Sequence, residues 1–250
     1  MQFTPTARNR LSRRRLICSA VLATAALAAV TQPALSQTSS LTKGATMQLT
    51  QNWDKTFPKS DKVDHQRVTF TNRYGITLVG DLYLPKDSGD RRLYAIVVSG
   101  PFGALKEQSS GLYAQALAER GFATLAFDPS HTGESGGQPR NVASPDINTE
   151  DFSAGVDFIG RHAAVDRGRI GILGICGWGG PALNAVAGDK RVKAVAVSTI
   201  YDMTRVMLKD YNDSVRPQQR TQNLQQLSRQ RWDDAENGAP DYGPVGFASD

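Results

Sequence analysis

The chain has 250 residues, 40% of them hydrophobic and 21% charged, with 29 Lys+Arg against 24 Asp+Glu. Such a length and composition suit one globular domain and exclude a collagen-like chain, long disorder and a multi-span membrane protein. The formal charge of +5 sits at one end, where Arg8, Arg10, Arg13, Arg14 and Arg15 stand in residues 1–36 without an acid, so the remainder is neutral and offers no basic surface to nucleic acid.

Arg13-Arg14-Arg15 leads into an apolar stretch from Leu16 to Val30, followed by Pro33 and Ala34-Leu35-Ser36. A charged start, a greasy middle of about 15 residues and small residues at a cut describe a secretory signal peptide over 1–36. Ser12-Arg13-Arg14-Arg15-Leu16-Ile17 is similar to the twin-arginine export signal, so the expected destination is the periplasm. A spanning helix needs about 20 apolar residues, so no stable membrane anchor is expected. A cut after Ser36 removes Cys18 and leaves Cys176 as the sole cysteine, which rules out an internal disulfide.

Residues 37–62 are polar without a sustained period and read as a loose lead-in to a domain over 63–235. His65–Thr71 alternates through Val68 and Phe70, Tyr74-Gly75 makes a turn, and Leu78–Leu84 forms the second strand of a hairpin. Ala95-Ile96-Val97-Val98 is a short continuous apolar run, as is Ala123–Phe127; such runs suit strands buried on both faces of a parallel sheet. Between them the pattern predicts a helix over Leu112–Glu119, with Leu112, Ala116 and Leu117 on one side. A helix over Glu150–His162 follows, then a strand at Arg169–Ile175, a helix at Gly179–Ala187 and a strand at Val192–Ser198. This alternation marks an α/β fold with right-handed crossovers on a mostly parallel sheet and helices on both faces. Beyond Thr199, Met203, Val206 and Met207 have helical spacing. Arg216–Arg231 predicts a solvated helix over the sheet, or a cap over a pocket, with Leu224 and Leu227 as its apolar contacts. Residues 236–250 are rich in Gly and Pro and read as a loose tail.

The chemistry concentrates in Gly174-Ile175-Cys176-Gly177-Trp178-Gly179-Gly180. A buried strand runs into a helix through one nucleophilic side chain flanked by glycines. So sharp a turn strains the backbone and needs small neighbours. It holds the thiol above the carboxyl edge of the sheet, at the positive end of a helix dipole. A buried structural cysteine would leave those glycines without a purpose.

With these features the sequence resembles the α/β-hydrolase superfamily, and within it the cysteine variant of dienelactone-hydrolase-like members. The resemblance covers about Val63 to Met207. Ser99-Gly100-Pro101-Phe102-Gly103 stands where that family places its oxyanion loop, and Asp128-Pro129-Ser130-His131-Thr132-Gly133-Glu134-Ser135 is similar to its Asp-x-x-Gly-x-Gly-x-Ser turn. Trp178 departs from the small residue expected two places after the nucleophile; Gly179 and Gly180 are expected to provide the close packing instead. The resemblance implies that Cys176 attacks an ester, thioester or lactone carbonyl while the backbone N–H groups of Gly177 and Phe102 hold the oxyanion.

The superfamily order is nucleophile, acid, histidine. His65, His131 and His162 all precede Cys176. The expectation is therefore a fold that stops after its sixth strand and lacks the late histidine. His131 is a candidate base, but its strand lies two spacings, about 10 Å, from the elbow strand, against the roughly 3 Å that proton transfer needs. Asp202 is a candidate acid after the Val192–Ser198 strand, or simply the cap of the helix at Met203. Asp128 is expected to fix its turn, His162 to be structural and His65 to be solvated.

The reading is an exported hydrolase of small carboxylic esters, thioesters or lactones, with weak or no turnover by this chain. Its rivals are a non-catalytic relative, acting as a binding protein or left as a gene remnant, and a redox protein built on the Cys176 thiol. No metal or cofactor is expected; Cys176 and Trp178 break the glycine spacing of a dinucleotide fingerprint. The expected partners are a small-molecule ester or lactone and, through an exposed edge carrying Val195 and Val197, a second copy of the chain.

Overall fold

A computed structural model describes residues 49–242; the export signal expected in 1–36, the lead-in up to 48, and residues 243–250 of the expected tail lie outside the described residues. Alternating burial along Val63–Thr71 (β1) and an apolar run along Thr77–Pro85 (β2) make the expected antiparallel hairpin, with Phe70 opposite Leu78 and Val68 opposite Gly80. The apolar runs become Leu93–Ser99 (β3), Ala123–Phe127 (β4), Val165–Ile175 (β5) and Val192–Ser198 (β6). The sheet order is β1-β2-β4-β3-β5-β6, with β4, β3, β5 and β6 parallel. This is the α/β-hydrolase arrangement that the sequence led us to expect.

The helices are Ser109–Ala118 (α1), Pro145–Gly160 (α2), Gly179–Gly188 (α3), Met203–Lys209 (α4) and Pro217–Asn237 (α5). Strand residues alternate between faces. Val97, Leu125 and Ile172 join Phe152, Val156 and Ile159 of α2 and Ala182 and Ala185 of α3 in the larger core. Val98, Ala126 and Leu173 face the other way, toward Ala114 and Ala118 of α1. Helix α2 starts earlier than periodicity suggested because Ser144 caps it, its side chain accepting from Ile147 N–H, and Pro145 occupies the first turn.

Three expectations about packing need correction. Helix α1 buries Gly111, Ala114, Gln115 and Ala118, whereas Leu112 is exposed. A Cβ on Gly111 would meet the Lys106 carbonyl and the Phe57 ring, so smallness rather than hydrophobicity selects the buried side. Helix α5 buries no residue, and Leu224 and Leu227 are 48% and 59% exposed, so they are not contacts on the sheet. Nor is His65 solvated. Its ring packs against Trp53 and Tyr83, and its Nε2 lies 2.8 Å from an Asp81 carboxylate oxygen.

The α1 side of the sheet is incompletely covered. Ile96, Leu117, Phe122, Leu173 and Val195 border an open apolar trough of about 560 Å³. Along β6, residues 193–197 are exposed, Val195 and Val197 among them.

Candidate active site

The chain runs from β3 to β4 on one side of β3 and later to β5 on its other side, so the strand order reverses between β3 and β5. A crevice opens outside the carboxyl ends of the strands at such a point. Ser99 pairs with Gly174, and Ile175 with Ser198, so the segments leaving β3, β5 and β6 emerge at one level.

The β5 segment is the elbow. Ile175 is extended, Cys176 has φ +56°, and a short 3₁₀ turn over Cys176–Trp178 runs directly into α3. A non-glycine residue with positive φ is strained and persists only where its surroundings fix it. Gly174 shows how they do so: a Cβ there would lie 2.7 Å from both the Ala182 Cβ and the Trp178 carbonyl oxygen. Helix α3 thus crosses the end of β5 at a distance only glycine permits. Gly179 is also crowded, against Ile200, but Gly180 faces open space, so only the first of the two glycines expected to provide close packing does so. Trp178 turns into the core, 5% exposed, with its ring 6.0 Å from that of Phe102. The departure from a small residue is accommodated because the β3 loop yields room: Gly100, at φ +107°, lies where a Cβ would run into the Ile175 carbonyl and the Trp178 ring.

Cys176 is partly exposed and free. It lines a cavity of about 270 Å³ with Phe102, Tyr201, Met203, Val206 and Tyr211. A Cβ on Gly177 would meet the Met203 thioether at 2.7 Å and the Phe102 Cβ at 2.9 Å, so Gly177 and Phe102 stand side by side next to the thiol. The N–H groups of Gly177 and Phe102 find no acceptor among the described residues. Tyr201 N–H donates to the Cys176 carbonyl at 3.4 Å, tying the segment after β6 to the elbow. The Tyr201 and Tyr211 hydroxyls are 2.6 Å apart.

The other predicted groups lie elsewhere. His131 is buried with φ +68°; its Nδ1 is 2.8 Å from the Pro139 carbonyl, its ring lies against Gly137, and its Nε2 has no partner among the described residues. Since a carbonyl only accepts, Nδ1 is the donor in that contact. The ring is not on the cavity beside Cys176. Asp202 is exposed and caps α4 by accepting from Arg205 N–H at 3.0 Å. His162 Nδ1 accepts from Ala164 N–H in the turn before β5. Asp128 holds its turn: its Oδ2 accepts from Glu134 N–H, and Gly133 passes so close that a Cβ would strike the carboxylate.

Sequence reasoning missed the charge network behind the β3 loop. Lys106, four residues after Phe102, is 1% exposed. Its Nζ donates to Glu107 at 2.5 Å, Glu134 at 2.7 Å and Asp128 at 2.9 Å, while its N–H donates to the other Asp128 oxygen at 2.8 Å. Burial alone would lower the Lys106 pKa, but these carboxylates outweigh it and push it up, so the ammonium stays charged. The three carboxylates converge as a metal's ligands would, but the ammonium already stands among them. Arg67 of β1 extends the network to Asp54, Asp81, Glu107 and Glu134, and Lys55 pairs with Asp81 at 2.9 Å. The lead-in around residues 53–57 is therefore pinned to the sheet. No period announces such a network, because its members come from five separate segments.

A mostly parallel sheet, helices on both faces and a strained cysteine elbow at the switch point define a member of the α/β-hydrolase superfamily. Residues 74–241 match the X-Pro dipeptidyl-peptidase (S15) family, and the chain belongs to that family. It is 69% identical over 238 residues to the uncharacterized protein PA2218 of Pseudomonas aeruginosa, covering 93% of this chain and 64% of that protein. The crystal structure of PA2218 superposes with a TM-score of 0.77 at 71% identity, over 81% of this chain and 64% of that one. The structure of the alpha/beta hydrolase GrgF from Penicillium gives a TM-score of 0.62 at 27% identity, over 72% of this chain and 58% of that one. The thiohydrolase aneE of Aspergillus aculeatus is 32% identical over 136 residues, 54% of this chain and 42% of that protein. The chain thus spans less than two thirds of the length of each of these relatives.

Proposed function

We propose that this protein is an exported hydrolase whose Cys176 thiol takes an acyl group from a small carboxylic ester, thioester or lactone. The observation that carries the reading is the elbow: a strained cysteine at φ +56° on a cavity wall, beside two backbone N–H groups with no acceptor among the described residues. The thiohydrolase relative supports a thiol-ester substrate class without defining the acyl group.

Sγ attacks the carbonyl carbon, and the carbonyl oxygen gains negative charge. The N–H groups of Gly177 and Phe102 stabilise that oxyanion, each donor being worth about 3–4 kcal/mol in the transition state. The C–O or C–S bond to the leaving group breaks, the leaving group takes up a proton in place of the one the thiol gives up to solvent, and an acyl–Cys176 thioester remains. Water must then cleave it. No histidine or carboxylate is among the residues lining the cavity, so the described residues furnish no base for that second step. Acylation without sustained turnover is the behaviour expected of this chain. Export rests on the signal in residues 1–36, and cell fractionation that recovers a protein starting at Gln37 from the periplasm is the matching test.

The direct experiment incubates the protein with a p-nitrophenyl ester and follows p-nitrophenolate release together with protein mass. A burst of one equivalent, an acyl adduct on Cys176, and loss of both in Cys176→Ala are expected. Release that persists in Cys176→Ala, or a thiol that peroxide oxidises rapidly but no ester acylates, would overturn the reading.

A further inference from the structure

Away from the thiol and the two N–H groups beside it, the walls of the Cys176 cavity are apolar except at one place. Phe102, Met203 and Val206 offer only hydrocarbon, aromatic and thioether surface, whereas Tyr201 and Tyr211 bring two phenol groups 2.6 Å apart. Their rings are tilted, with centroids 5.7 Å apart. Tyr201 is held at the site by its backbone bond to the Cys176 carbonyl. The Tyr211 hydrogen bond pushes the Tyr201 phenol up, so it keeps its proton at neutral pH.

Two phenols carry two hydroxyl protons, and the bond between them uses one. The pair therefore retains one O–H that can donate beyond itself. Among the described residues, no cation lines the cavity. Arg205 and Lys209 are engaged with Asp213 outside it. A carboxylate would thus enter without a counter-charge. A neutral oxygen acceptor matches the single donor. The volume, about 270 Å³, lies just below the range of roughly 300–1,000 Å³ typical of pockets for drug-sized ligands. A short acyl chain fits it.

We infer that the Tyr201–Tyr211 hydroxyl pair is a specificity determinant, selecting short acyl groups that carry a neutral oxygen, a ketone or hydroxyl, on an otherwise apolar chain. This rests on Cys176 being the acyl acceptor.

The test compares p-nitrophenyl levulinate, whose acyl chain bears a ketone, with p-nitrophenyl valerate, which matches it in length. The rate of Cys176 acylation is read from the p-nitrophenolate burst and the adduct mass, and each rate is divided by that of the same ester with glutathione. The wild-type protein is expected to prefer levulinate about five-fold, within the roughly two- to ten-fold that one net hydrogen bond confers. In Tyr201→Phe/Tyr211→Phe the preference is expected to fall to about one. The pair needs both members for its geometry, so Tyr211→Phe alone, at a half-exposed ring, is expected to lower the preference in a protein whose fold is undisturbed. Acylation of wild type with equal normalised rates, or a preference unchanged in both variants, overturns this inference while leaving the nucleophile in place. Absence of an adduct from either ester overturns the nucleophile and this inference together.

Discussion

Lys106→Met removes the cation around which the β3 loop is built. Lys106 and Asp128 side chains are fully buried and 2.9 Å apart, and Lys106 is the only cation paired with Asp128 among the described residues. Glu107 and Glu134 keep Arg67 as a second partner, at 3.1 Å and 3.3 Å, so the exposed deficit falls on Asp128. Leaving one buried charge uncompensated typically costs 3–5 kcal/mol, and we expect about 4 kcal/mol here. For a domain of this size each kcal/mol lowers the midpoint by roughly 2–4 °C, so a fall of about 12 °C in a thermal melt followed by near-UV circular dichroism is expected. Adding Asp128→Asn to the variant removes the stranded charge and is expected to restore about half of the loss. Because the Lys106 ammonium ties the segment after Phe102 to Asp128 and Glu134, the acylation burst is expected to slow along with the loss of stability. A cost below about 1 kcal/mol, the value of an exposed pair, would refute the claim that the cluster behaves as a buried ion network.

The two contrasting glycines of the elbow region give a second check. Gly174→Ala is expected to destabilise by about 2 kcal/mol, since its Cβ lands 2.7 Å from Ala182 and from the Trp178 carbonyl, whereas Gly188→Ala at the open end of α3 is expected to gain about 0.5 kcal/mol; urea titrations of equal quality that rank them in the opposite order would contradict the packing described. The network also predicts acid sensitivity. Burial would raise the Asp54 carboxyl, but hydrogen bonds from Lys55 and Arg67 prevail and hold it at about 2, and the bonds from His65 and Lys55 likewise hold buried Asp81 low. A carboxyl lowered by folding contributes stability that is present above its unfolded value near 4 and is lost as pH falls through the folded value. The urea midpoint should therefore fall between about pH 4 and pH 2, and Asp81→Asn should be less stable at pH 7 and lose less on acidification; a midpoint that rises on acidification contradicts this sign. Finally, the open β6 edge predicts self-association, which Val195→Lys should weaken; light scattering that shows a monomer for the unsubstituted chain at high concentration would exclude it.

Much of the architecture was legible because it depends on short-range patterns. The runs at 95–98 and 123–127, the alternation at 65–71 and the strand–turn–helix at 170–187 each identify an element, and their order selects the topology. The elbow was legible for the same reason, since its glycines and cysteine are contiguous. The cavity was less so. Phe102 was expected beside Cys176, but Tyr201 and Tyr211 carried no signal beyond their place after the strand at 192–198. The side of α1 that packs was misread because periodicity scores hydrophobicity, whereas Gly111 is buried by close approach to the Lys106 backbone. His65 was misread because a polar residue near a strand end is usually solvated, and only a buried partner such as Asp81 reverses that.

What the sequence determined by itself was the α/β order of elements and a cysteine at a turn that tolerates little but glycine around it, since local backbone geometry and strand burial are written in neighbouring residues. Only the tertiary structure decided what surrounds that thiol. It brought two tyrosines from beyond β6 to the cavity, left His131 locked against Pro139, and gathered Lys106 and Arg67 among carboxylates from distant segments. Burial and electrostatic pairing depend on distances through space, and those exist only once the chain has closed on itself.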